Sequence, residues 1–416
     1  MDILKQWSKS STKAADPWLV YFGITNICNS GCHMCPLSSD SMRDDKGVMK
    51  FDEFKKIFDQ LPESVKKIYM IKQGESFLNK ELPLIVQYAR QQRPNLHITL
   101  HSNIIRATKE RVKEVIPYMS SFGISISGID KETYENVHGK DRFEKVVQNL
   151  QDISDLVISL PKEKRPHIFI DYVYQNRNSH EDREDVERFF KQFPGINSLD
   201  FHWLYNFHGE TTEGNFEAYD TLPQEQFPQC VFPWSAMVVL WDGKVDYCFT
   251  EAKENLFLGD FNTQSFHQIW NGGKFQNFRK KMVEKKFDEL DKDGYGCAKC
   301  SWLWSPKIQS PKNLTGGYSL QQKDEDIITS FGDVLELPQQ DVLKNIQKLI
   351  AQAKIFEAKG MIEYLLKTSD DNTILEETSQ LDRLCTDTLE KYKNIHTWNE
   401  EVKKKSAKES EYRKLN

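Results

Sequence analysis

The sequence predicts an α/β chain of repeated strand–helix units, a smaller cysteine-bearing domain, and a helical extension. Three observations carry this prediction. Six apolar, β-rich runs alternate with helical patterns between residues 18 and 204. A triplet of cysteines directly follows the first run. Beyond about residue 319 the apolar spacing becomes wholly helical.

The β-rich runs cover residues 18–24, 68–73, 97–102, 123–127, 167–174 and 199–204. Helical stretches such as 51–61, 81–92 and 142–156 lie between them. Strands alternating with helices argue for parallel β/α units. Function in such units collects at the C-terminal ends of the strands. The 416 residues suggest two or three domains. A net charge of −6 argues against a general nucleic-acid binder. The start, Met-Asp-Ile-Leu-Lys-Gln-Trp, has no apolar signal core, and no long apolar span follows. A cytoplasmic protein without membrane contact is expected, its eight cysteines more plausible as metal ligands than as disulfides.

The loop after the first strand reads Cys28-Asn29-Ser30-Gly31-Cys32-His33-Met34-Cys35. Three thiolates so placed can grip one face of a [4Fe–4S] cube and leave the fourth iron open to a non-protein ligand. Zinc is the competing reading, but it usually takes four ligands in C-x2-C pairs. A disulfide fits less well without a secretory context. The C-x3-C-x2-C spacing, with an aromatic ring at His33, resembles the radical S-adenosylmethionine (radical SAM) superfamily. That resemblance implies a partial (β/α)6 barrel. It also implies S-adenosylmethionine (SAM) bound at the open iron and cleaved to a 5′-deoxyadenosyl radical.

Other strand ends bear on the same resemblance. Gln73-Gly74-Glu75-Ser76 is similar to the family's Gly-Gly-Glu-Pro stretch, with Gln73 and Ser76 as departures. Ser102-Asn103 stands where relatives carry Thr-Asn-Gly. Ser125-Ile126-Ser127-Gly128 resembles Ser-Ile-Asp-Gly, and His138-Gly139 leads a stretch resembling Arg-Gly-x-x-x-Phe. The resemblance implies SAM contacts from His33, Gly74, Glu75, Ser102, Asn103 and Asp171. Ser125 and Arg142 are candidates for its carboxylate, since His138 replaces the usual arginine.

A second set, Cys230, Cys248, Cys297 and Cys300, surrounds the hairpin signal Trp241-Asp242-Gly243-Lys244. Four cysteines suffice for a closed cluster or for a zinc knot. With Leu258-Gly259-Asp260 and Ile269-Trp270-Asn271, the stretch resembles the SPASM/Twitch extension of radical SAM enzymes. Its shorter Twitch form, found in aminocyclitol dehydrogenases, implies one auxiliary [4Fe–4S] cluster.

The expected organisation is a polar lead-in at 1–17, a barrel at 18–225 and a small β-hairpin/helix iron–sulfur domain at 226–318. A C-terminal α-helical hairpin follows at 319–416, with helices near 340–368 and 372–405. Cys385 falls on its apolar stripe as a small buried hydrophobe. That hairpin could bind a protein partner.

The expected chemistry is SAM cleavage and oxidation or epimerisation of a sugar- or aminocyclitol-type molecule, the auxiliary cluster relaying the electron. Modification of a peptide is the alternative, and a non-catalytic metal scaffold a third. An electron donor such as flavodoxin or ferredoxin is implied. A general base is useful for the hydroxyl proton. His101, Arg177, His202, Tyr205 and His208 lie near strand ends, and none stands out as that base.

Overall fold

The structure is a computed structural model. It describes residues 12–38, 45–214, 222–227, 230, 232–304, 318–319 and 373–383. They fall into two compact units, one holding the residues up to 304 with 318–319, the other 373–383. In the second, residues 373–383 are helical, as expected, with Ile374 and Thr378 buried. The rest of the predicted helical hairpin, Cys385 and residues 1–11 lie outside the described residues. No described helix is long and apolar enough to cross a membrane.

The first unit is built on one mixed sheet. Its parallel strands are β1 (Leu19–Phe22), β2 (Lys67–Met70), β3 (His97–Ser102), β4 (Ser121–Ser125), β5 (His167–Tyr174) and β6 (Ser198–Trp203). They pair in sequence order, as β/α repeats do when each crossover returns beside its own strand. The crossovers include α1 (Phe51–Phe58), α2 (Leu82–Gln92), α3 (Lys109–Val115), α4 (Lys131–His138), α5 (Phe143–Ser159) and α6 (Arg183–Phe190). These are the parallel β/α units that the alternation predicts, in the order of the partial barrel that the resemblance implies.

Side chains alternate across each strand. Val20, Phe22, Ile68, Met70, Ile98, Leu100, Ile168 and Ile170 are fully buried in the core, Phe22 against Phe54 of α1. The opposite face is different. Tyr21, Tyr69, His101, Asp171 and His202 are only half-buried, and parallel strands seldom carry such polar residues.

The predicted hairpin is β7 (Ala236–Val239) and β8 (Lys244–Asp246), extended by β9 (Phe257–Asp260). Gly243 takes φ 80° at the turn, where a side chain would be strained. β7 pairs in parallel with β1, so the cysteine domain continues the barrel sheet past its first strand. A short strand at Tyr318–Ser319 closes the other edge against β6. The Ile269-Trp270-Asn271 landmark pins the lead-in. Trp270 Nε1 donates to the Ala15 carbonyl, and Asn271 exchanges hydrogen bonds with the Ala14 backbone.

Candidate functional site

The first cysteine loop leaves β1 through Thr25 and Asn26. Asn26 Nδ2 donates to the Asp45 carbonyl, and its Oδ1 accepts from the Gly47 N–H. The loop then lies on the C-terminal end of α4. Gly31 and His33 N–H groups donate to the His138 and Val137 carbonyls, both at 3.1 Å. Gly139 ends α4 with φ 69°, and a Cβ there would stand 2.1 Å from the Gly31 oxygen. Close approach of two glycines therefore sets the loop's height above the strand ends.

Cys28, Cys32 and Cys35 are free, half-buried thiols. Burial pushes Cys32 up to about 11 and Cys35 up to about 12, and Cys28 also upward. Each of Cys32 and Cys35 also feels the charge of another thiol of the loop. Mutually repelling buried thiolates are unfavourable unless a cationic group binds them, which fits a cluster. His138, buried in α4, adds a specific contact. Its Nε2 accepts from the Ser127 N–H at 3.1 Å, so Nδ1 carries the proton and faces Cys32 Sγ at 3.2 Å. The residue in the arginine position thus touches a thiol of the loop. Burial pushes His138 down to about 4, so its ring stays neutral.

The remaining predicted contacts divide. Glu75 is 1% exposed and its oxygens are taken: Ser102 Oγ, Asn103 N–H and Phe77 N–H all donate to it. Burial raises its pKa against those donors. In this arrangement Glu75 and Ser102 tie β2 to β3. Gly74, with φ 82°, lets that segment approach the Thr25 and Ile27 carbonyls. Asn103 Nδ2 reaches Asn29 Oδ1 at 3.0 Å and Cys28 Sγ at 3.6 Å, beside the loop itself. His33 and Arg142 are exposed, and Ser125 pairs in register with Asp171. Among the described residues, buried polar atoms without a partner include Asn29 Nδ2, Gln73 Oε1 and Gln175 Oε1, available to a polar ligand.

The second set converges from three segments. Cys248 and Cys300 raise Cys297, Cys248 and Cys230 raise Cys300, and Cys248 raises Cys230, in each case after burial itself. Among the described residues no three side chains converge at single-ion distance. Zinc needs its sulfurs within about 2.3 Å of one point. Four buried thiols gathered from three segments supply the four thiolates that a closed [4Fe–4S] cluster takes.

Between the two sets, the half-buried face of the sheet brings together residues that sequence reasoning listed separately. Asp171 Oδ1 is 2.6 Å from His202 Nε2, and its Oδ2 is 3.8 Å from His101 Nδ1. Burial opposes charge on His202, but Asp171 and Asp200 outweigh it and push it up to about 9. Burial lowers His101. Asp200 is pushed up to about 6 by burial and by Asp171. Tyr21 stacks on Tyr69 at 5.0 Å and on Phe249 at 5.4 Å, and Tyr205 contacts Phe249 and Trp302. Tyr205 is raised by burial, then by Asp171, Cys35 and Cys248 together. Of the other candidates, Arg177 is held by Glu213 at 2.6 Å, and His208 is buried beside Cys248. The legible signal for the His101–Asp171–His202 group was polar residues interrupting apolar strands.

The radical SAM superfamily profile matches residues 22–190, and the SPASM iron–sulfur cluster-binding domain profile matches residues 230–301. Fe-coproporphyrin III synthase of Methanosarcina barkeri is 24% identical over 338 residues, covering 68% of this chain and 81% of that protein. Streptococcus suis SuiB, solved with its precursor peptide SuiA, has a TM-score of 0.53 at 12% identity. The match covers 72% of this chain and 77% of SuiB, and at that identity it is a likeness of fold. BtrN, solved with AdoMet and 2-DOIA, has a TM-score of 0.47 at 19% identity, covering 73% of this chain and 100% of BtrN.

Proposed function

Because the chain belongs to the radical SAM superfamily and carries a SPASM domain, we propose that it oxidises a small polyhydroxylated molecule, sugar- or aminocyclitol-like. One observation carries the reading. Tyr205 lies within electrostatic reach of Cys35 of the first set, Cys248 of the second, and Asp171 on the sheet face. The half-buried sheet face around Tyr205 is therefore near both cysteine sets.

Cys28, Cys32 and Cys35 would hold the SAM-binding cluster, and Cys230, Cys248, Cys297 and Cys300 the auxiliary one. When bound, these groups would supply a hydrogen-atom acceptor and an electron acceptor near this sheet face. The chain's residues do the rest. Tyr21, Tyr69 and Phe249 offer stacked faces to the C–H side of a ring, while the carboxylates and imidazoles suit hydroxyls. Loss of a hydrogen atom from a carbinol carbon leaves its O–H more acidic than that of the parent alcohol. His101, neutral because of its burial, accepts that proton. His202, charged and paired to Asp171, orients the group beside it. Two histidines with pKa values driven apart thus divide the roles of base and fixed cation. A hydrogen atom, a proton and an electron leave, and a ketone remains.

The test is anaerobic turnover of polyols and aminocyclitols carrying deuterium at each carbinol carbon. Deuterium appearing in 5′-deoxyadenosine, together with ketone, is expected. Turnover of peptides with no carbohydrate consumed would overturn the reading.

A further inference from the structure

His138 ends α4 at the position where the resemblance expects an arginine, and it is only 1% exposed. Its ring is fixed from two sides. Tyr134, one turn back on α4, stacks on it with ring centroids 4.4 Å apart. Nε2 lies 3.1 Å from the Ser127 backbone nitrogen, just past the end of β4.

Directions follow from counting hydrogens. A backbone N–H can only donate, so Nε2 accepts and carries no hydrogen. Burial keeps the ring neutral, with a single hydrogen, which therefore sits on Nδ1. Nδ1 stands 3.2 Å from Cys32 Sγ. A metal-bound thiolate has no hydrogen and only accepts, so the bond runs from His138 to Cys32. The other polar group at this sulfur is less committed. Ser30 Oγ has one hydrogen for both Cys32 Sγ, at 3.3 Å, and the His138 carbonyl, at 3.2 Å. An arginine could not replace His138 here, because a guanidinium has no acceptor for the Ser127 N–H.

We propose that His138 is a positioning residue for the first cluster: its Nδ1–H donates to the Cys32 thiolate and raises that cluster's reduction potential. Hydrogen bonds to ligand sulfurs help set a cluster's potential, and a donor favours the more negative, reduced state. The entering electron comes from a one-electron donor protein. No proton moves with it, since His138 keeps its hydrogen. The proposal rests on a SAM-binding cluster held by Cys28, Cys32 and Cys35, not on the identity of the substrate.

The experiment is an EPR-monitored redox titration of the reconstituted full chain without SAM or substrate, with the auxiliary cluster as internal control. His138→Phe keeps a ring beside Tyr134 but has no hydrogen to give. It is expected to lower the first cluster's midpoint potential and leave the auxiliary one unchanged. His138→Asn, with a donor nitrogen in the place of Nδ1, is expected to recover most of that fall. An unchanged potential in H138F, or an equal fall in H138N, would overturn the proposal. Should H138F fail to hold the cluster, pulsed EPR of His33→Phe protein labelled with ¹⁵N-histidine decides, since that change removes the loop's own histidine. A histidine nitrogen coupled to the reduced first cluster is expected, and its absence overturns the proposal. A wrong substrate class leaves potentials and coupling untouched, so the two readings fail separately.

Discussion

The two cysteine sets answer different chemical needs, and the fold builds them differently. The first occupies a single loop, residues 28–35, laid on one helix end by two touching glycines. Its three thiols are all half-buried. The second gathers four thiols from residues 230, 248 and 297–300, with Cys297 and Cys300 buried and Cys230 and Cys248 half-buried. On the proposed function, three ligands in an open loop would leave an iron for SAM, while four in a packed domain would leave none. The same contrast separates catalytic from structural metal sites in general: a position is kept open where chemistry occurs. Each set also has a buried neutral histidine, but His138 reaches Cys32 directly and His208 reaches Cys248 through Thr250.

The contrast breaks most visibly at the first set. Changing Cys28, Cys32 and Cys35 together to Ala should abolish 5′-deoxyadenosine formation and reduce bound iron from about eight to about four per chain. Iron analysis and nucleoside chromatography measure both. A smaller effect is expected between the sets. His101→Gln should slow ketone formation by roughly 10²–10⁴-fold. In wild type the rate should rise with pH below neutrality as His101 loses its proton, since its pKa lies below the usual histidine value. It should fall again near pH 9 as His202 loses its charge. H101Q should lack the rising limb. The smallest effect concerns the loop's seat. Gly139→Ala puts a Cβ against the Gly31 oxygen in a left-handed backbone, and should cost about 1–3 kcal/mol in thermal unfolding. It should loosen the first cluster before the second.

Much of this was legible because it is periodic or local. The six strands fall within three residues of the apolar runs, since buried parallel strands read as continuous apolar segments. The cysteine loop is one short motif, and Asp242-Gly243 marks the β7–β8 hairpin unaided. The parallel pairing of β7 with β1 was not legible, because it joins residues far apart in sequence. Glu75 illustrates a different loss. Its motif is visible, but only the fold reveals its oxygens bound by Ser102, Asn103 and Phe77. His101, Asp171 and His202 lie on three strands, and no spacing in the chain brings them together. Gln73 shows how a departure is absorbed: its Nε2 donates to the Glu251 and Ala252 carbonyls of the cysteine domain.

The most direct test of two sets with divided labour is the ratio of ketone to 5′-deoxyadenosine in wild type and in Cys300→Ala. The first cluster's EPR signal serves as the check on folding. The account predicts a ratio near one in wild type. In C300A it predicts continued nucleoside formation with ketone lost. Ketone formed at the wild-type ratio by C300A would contradict it, since the auxiliary site would then take no part in removing the electron.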